Sequence, residues 1–232
     1  MARLRKQRRD LCIRDVPLCV LDIETTGLYS DTDRIVEIWI GRYQENEKKD
    51  DFHTLVNPGC KIPLEARKIH RITNKMVSHA PKFKDIATDL VRFVGNDTIV
   101  THTGFDMKFI NSEMMRAGRI PLSNHSIDTC ALARRQFLFR RNYNQKRDRY
   151  ETNTLQNIVR ELGLNEKPGH RAKSDGKATA SVLFKMIGIF EREWALSVAD
   201  VDDLQRSVRT PSAKKVEKSA KISRKHGRWQ TP

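Results

Sequence analysis

Leu18-Cys19-Val20-Leu21-Asp22-Ile23-Glu24-Thr25-Thr26-Gly27 is an apolar run that ends in two carboxylates one residue apart, followed at once by a small-residue turn. A strand has a side-chain period of two, so Asp22 and Glu24 fall on the same face at the end of a strand. Adjacent carboxylates repel and raise each other's pKa unless positive charge lies between them, and a divalent cation is the simplest source of it. With 17 Asp and 12 Glu among 232 residues, about one Asp-x-Glu is expected by chance, so the spacing alone leaves a metal site and a solvated acidic strand end both open. Context adds weight, because open α/β sheets place their chemistry at strand ends and in the loops that follow.

Outward from this strand, Arg34–Tyr43 and Phe52–Val56 alternate as two further strands around a charged turn at Glu45–Asp51. Pro81–Val94 takes helical spacing and stops at Gly95-Asn96-Asp97; Thr98–Thr101 resumes a short strand, and Asp106–Ala117 is helical again. A strand at Ser126–Asp128 and helices at Thr129–Phe137, Thr154–Leu162 and Asp175–Phe190 complete the pattern. The order predicts an α/β fold in which helices cover a mixed sheet.

The net charge of +15 is uneven: residues 1–14 hold six Arg/Lys against one acid, and residues 209–232 hold eight against one. This divides the chain into a basic N-terminal extension (1–16), a nearly balanced domain (17–195) and a basic C-terminal tail (196–232) expected to be largely disordered. Basic tails favour a polyanionic partner such as nucleic acid, or simply solubilise the ends. Between Arg140 and Glu151, five Arg/Lys interleave with Tyr143 and Tyr150, a composition that suits a nucleic-acid contact or a solvated loop. No apolar run approaches membrane-spanning length. The four cysteines lack zinc-type spacing and read as reduced thiols, which points to a cytoplasmic protein.

Two more carboxylates sit at element starts: Asp106, in Thr101-His102-Thr103-Gly104-Phe105-Asp106, and Asp175, five residues after His170 in His170-Arg171-Ala172-Lys173-Ser174-Asp175. Each is weak alone, since Asp at a helix start is also an ordinary N-cap. In this order and on these elements, the segments resemble the DEDD 3′→5′ exonucleases. The His-to-Asp spacing resembles their His-type, DnaQ-like branch (DEDDh), which includes the epsilon proofreading subunit of bacterial DNA polymerase III. The resemblance runs from about Pro17 to Ile189. It implies a ribonuclease-H-like fold, a mixed five-stranded sheet flanked by helices, and two divalent metal ions, Mg²⁺ or Mn²⁺. Asp22, Glu24, Asp106 and Asp175 would be the ligands, with Asp22 bridging, and His170 the general base.

The same resemblance makes Thr25, Thr26, Gly27, Glu65 and His70 candidate substrate contacts and Asp128 a structural residue. It implies release of nucleotides from single-stranded DNA 3′ ends, with nucleic acid and a DNA polymerase or other protein as partners. RNA 3′-end trimming and a catalytically idle binding module are the alternatives. Three departures from the family pattern stand out: Thr101-His102-Thr103 before the second motif, Arg71 where Gly is common, and a longer, more basic Phe139–Asn153.

Overall fold

The computed structural model describes residues 16–135, 143–144, 149–150 and 153–194. Residues 1–15 of the basic N-terminal extension, the basic C-terminal tail, most of Arg140–Glu151 and the last two residues of the expected Thr129–Phe137 helix lie outside these.

Strands β1 (Leu18–Thr25), β2 (Ile35–Gln44), β3 (Glu47–Leu55), β4 (Thr98–Thr101) and β5 (Ser126–Asp128) form one sheet in the order β3-β2-β1-β4-β5. β1 pairs antiparallel with β2 and parallel with β4; β2 pairs antiparallel with β3, and β4 parallel with β5. This is the mixed five-stranded sheet expected. Helices α1 (Leu64–His70), α2 (Asn74–Val77), α3 (Phe83–Val94), α4 (Phe105–Arg116), α5 (Thr129–Arg135), α6 (Leu155–Glu161) and α7 (Ala172–Trp194) surround it. Strands β6 (Tyr143–Asn144) and β7 (Arg149–Tyr150) pair as a separate ribbon.

Alternation along β1 divides the core. Leu18 and Val20 join Trp39, Val100, Ile127 and the inner faces of α6 and α7 on one side. Cys19, Leu21 and Ile23 join Ile38, Ile40 and the apolar stripes of α3 and α4 on the other. A smaller cluster of Val36, Ile62, Ile72 and Val77 seats α1 and α2. Since Asp22 and Glu24 continue the register of Leu18 and Val20, they face the α7 side.

Three boundaries differ from expectation. The charged turn shrinks to Glu45 and Asn46, both left-handed (φ 55° and 64°), and Glu47–Asp51 are strand. Two successive left-handed residues make the tight hairpin turn that matches strand twist, and the charges belong to an exposed edge strand where they discourage intermolecular pairing. Helices α1 and α2 are too short for periodicity to reveal. Finally, α7 starts at Ala172, three residues before Asp175, because the buried carboxylate of Glu37 receives the Ala172 N–H at 3.0 Å.

Candidate active site

The third and first motifs meet because a glycine lets α7 lie directly on the sheet. A Cβ at Gly176 would stand 2.3 Å from the Trp39 ring and 3.4 Å from the Asp22 Cβ. Trp39 is opposite Asp22 in the β1–β2 register, fully buried, and fixed by its Nε1–H donating to Asp51 Oδ2 at 2.9 Å. Helix α7 therefore rests on the indole, with Asp175 one residue away and electrostatically coupled to Asp22. Asp106 enters from the parallel neighbour: the chain leaves β4 and opens α4, and its Oδ1 receives the Ile23 N–H at 3.2 Å.

Four carboxylates thus share one small region, and their electrostatics record the crowding. Burial pushes Asp22 well up, reinforced by Asp106, Asp175, Glu24 and Glu37. Glu24 is pushed up to about 8, first by burial and then by Asp175, Glu37 and Asp106, while Arg171 works in the opposite direction. Asp106 rises to about 7 through burial, against the opposing effect of backbone N–H groups. Repulsion of this kind is what a divalent cation relieves, and carboxylate oxygens are the donors that hard cations take.

Asp175 is not the N-cap of its helix. It reaches back to the preceding loop, where Oδ1 receives the Gly169 N–H at 2.8 Å and Oδ2 the His170 N–H at 3.2 Å. His170 is left-handed (φ 57°) and its ring is exposed. Potential ligand atoms of Glu24, His170 and Asp175 lie within 4.8 Å of one another.

The expected substrate contacts divide. Thr25 and Thr26 are buried braces: the Thr25 hydroxyl donates to the Gly27 carbonyl at 2.5 Å, and Thr26 Oγ1 donates to Asp33 and receives the Arg34 N–H. Gly27 lies close to Asp33: a Cβ there would be 2.5 Å from its carboxylate, which would have to shift. Glu65 is exposed on α1. His70 is only 2% exposed; its Nδ1 accepts from the Ile72 N–H at 2.9 Å, and burial pushes its pKa down. The ring of this expected substrate contact is thus enclosed within the fold. Asp128 accepts the Ala131 N–H at 2.8 Å and steadies the first turn of α5, in keeping with a structural role. His102, in the divergent segment, bridges Thr129 Oγ1 at 3.0 Å and the Asn153 carbonyl at 3.1 Å.

Sequence reasoning passed over Leu28 and Tyr29, 76% and 73% exposed just beyond Gly27, and Glu37 with Arg171. A carboxylate interrupting the apolar run Ile35-Val36-Glu37-Ile38 was the available signal.

With this geometry in hand, the exonuclease family RNase_T matches residues 19–183. The chain belongs to that family. It is a 3′→5′ exonuclease, a phosphodiester hydrolase of DnaQ-like type. Among its relatives, the exonuclease is 33% identical over 175 residues to the DNA polymerase III subunit epsilon of Treponema pallidum, covering 74% of this chain and 77% of that one. It is 27% identical over 206 residues to the PolC-type DNA polymerase III of Thermotoga petrophila, covering 88% of this chain but only 14% of that much longer protein. Two solved structures share its fold. The nuclease domain of 3′hExo, a DEDDh family member bound to rAMP, has a TM-score of 0.63 at 18% identity, over 75% of this chain and 92% of that one. The zinc-bound complex of E. coli exonuclease I with single-stranded DNA has a TM-score of 0.66 at 17% identity, over 77% and 41%. No helix among the described residues is long and apolar enough to cross a membrane.

Proposed function

We propose that this exonuclease shortens single-stranded DNA from its 3′ end, releasing nucleoside monophosphates in a proofreading or end-trimming role. The observation that carries the reading is the convergence of Asp22, Glu24, Asp106 and Asp175, from one strand end and two helices, into one mutually repelling group beside an exposed His170. These carboxylates would hold two divalent ions, Mg²⁺ or Mn²⁺, for which hard oxygen donors are suited. Bound there, the ions supply positive charge to the phosphodiester and acidify a coordinated water. The chain's residues do the rest. His170 takes a proton on an imidazole nitrogen as the general base. Asp175 holds the His170 backbone by receiving its N–H at 3.2 Å. Exposed Leu28 and Tyr29 offer apolar and aromatic surface to the terminal bases.

DNA is favoured over RNA because the relative at 33% identity is a DNA polymerase subunit, whereas the rAMP-bound structure at 18% speaks to fold alone. A DNA polymerase is accordingly the proposed protein partner in a cytoplasmic replication setting, and the basic extension and tail would add affinity for nucleic acid. The test is digestion of 5′-labelled single-stranded DNA and RNA of one sequence with Mg²⁺ or Mn²⁺, beside Asp22→Asn. A metal-dependent ladder shortening from the 3′ end, faster on DNA and absent in the variant, is expected. An equal or faster ladder on RNA would reassign the substrate, and no ladder on either would favour the idle binding module.

A further inference from the structure

Among the described residues, Glu37 is a fully buried charge that the residues assigned to chemistry leave unused. Glu37 sits opposite Glu24 in the β1–β2 register, with 0% of its surface exposed. Like charges facing each other across strands destabilise a sheet, and a buried carboxylate persists only when its acceptors are satisfied. Glu37 meets that condition through one short segment, Arg171 and Ala172, together with His53 of β3. Its Oε1 receives Arg171 Nη2–H at 2.7 Å and lies 2.9 Å from His53 Nε2; its Oε2 receives Arg171 Nε–H and the Ala172 N–H, both at 3.0 Å. Both oxygens are fully used, so Glu37 has no lone pair to spare for a metal ion.

What these bonds hold is the backbone around His170. Gly169 and His170 are tied through their N–H groups to Asp175, while Arg171 and Ala172 are tied to Glu37. His170 lies between the two attachments in a left-handed conformation (φ 57°) that a non-glycine residue keeps only where its surroundings over-determine it. A bidentate guanidinium–carboxylate pair fixes direction as well as distance.

We propose that the Glu37–Arg171 pair is a clamp that positions His170 and Asp175 for hydrolysis, which makes Glu37 a positioning residue; this rests on the catalytic reading of His170 and Asp175 given above. Glu37 touches neither substrate nor reacting atoms. Its carboxylate seats the first turn of α7 and sets the path by which the chain presents the imidazole beside Glu24.

The test compares the full chain with Glu37→Gln, Arg171→Met, their double variant and Arg171→Lys, using 5′-labelled single-stranded DNA with Mn²⁺. Each single variant should lower kcat about 100-fold while KM stays within about threefold, the mark of lost positioning rather than lost binding. The double variant should lose no more than either single one, because both remove the same clamp. Arg171→Lys, which keeps the charge without the fork, should recover only part. Independently of activity, hydrogen exchange of the Gly169–Gly176 backbone should quicken in the variants while β1 and β2 stay protected. Unchanged kcat, additive losses or unaltered exchange would each overturn the clamp. If Glu37→Gln fails to fold, the Arg171 variants carry the test, since that side chain is 41% exposed. His170→Ala separates the two readings: parent-like turnover there refutes the catalytic assignment and leaves exchange to judge the clamp. An inactive His170→Ala beside a fully active Glu37→Gln refutes the clamp alone.

Discussion

Asp22 carries the most like-charged company in the site, pushed up by burial and by three neighbours of like charge on β1, α4 and α7, with Glu37 adding to them. Two opposite demands meet in this one residue: the metal-free fold is better without its charge, and the proposed hydrolysis depends on it. Asp22→Asn should therefore abolish 3′ trimming and at the same time raise metal-free stability at pH 8. Urea denaturation in EDTA checks the second half, and a variant less stable than the parent would contradict it. Gly176 shows the steric counterpart. With the Trp39 ring 2.3 Å from where a Cβ would go, Gly176→Ala must lift α7 or turn the indole. Overpacking of this kind costs about 1–3 kcal/mol, and here it also moves Asp175. A Gly176→Ala protein with parental stability and turnover would show that the close approach is not needed.

At the level of elements, the short α1 shows how backbone geometry explains a departure in sequence. Its cap residue Arg71 is left-handed (φ 62°) and donates its N–H to the Arg67 carbonyl, a position that suits glycine. An L-residue there carries a conformational cost, so Arg71→Gly should stabilise the fold by about 0.5–1 kcal/mol in thermal or denaturant unfolding. A destabilised variant would mean that the exposed arginine makes a contact worth more than its strain. The hairpin between β2 and β3 teaches the same lesson, since Glu45 and Asn46 turn the chain in two residues and leave Glu47–Asp51 to extend an edge strand. Charge composition suggested a seven-residue turn, because an edge strand has no apolar face by which to declare itself.

Across the whole molecule, the site couples chemistry to stability. Glu24 moves from 4.5 to about 8 and Asp106 from 3.8 to about 7, so between those limits the metal-free folded chain binds more protons than the unfolded one. Stability must then fall as pH rises through that window. Glu37 and Asp51 shift downward and contribute stability above their ordinary carboxylate range, lost only in acid. His70, pushed down by burial, opposes the trend only near and below 6.5. Thermal unfolding in EDTA should show the midpoint decreasing between about pH 5 and pH 8, with Mn²⁺ restoring it most strongly at the alkaline end. A flat profile, or equal rescue at both ends, would argue that the carboxylates are not thermodynamically coupled to a cation.

Much of this architecture is local and therefore legible in the chain itself. The period-two pattern of β1 and the helical stripes of α3 and α4 depend on neighbours in sequence and predict an α/β fold with a mixed sheet, while the order of Asp22, Glu24, Asp106, His170 and Asp175 carries the resemblance to the exonuclease family. Glu37, Arg171, Trp39 and Gly176 act through contacts more than a hundred residues apart in the chain, and His70 is buried by elements that do not adjoin it. No periodicity records such pairings. Whether a carboxylate ligates, clamps or caps depends on which donors reach its oxygens, and that is decided only when α7 packs onto β1 and β2.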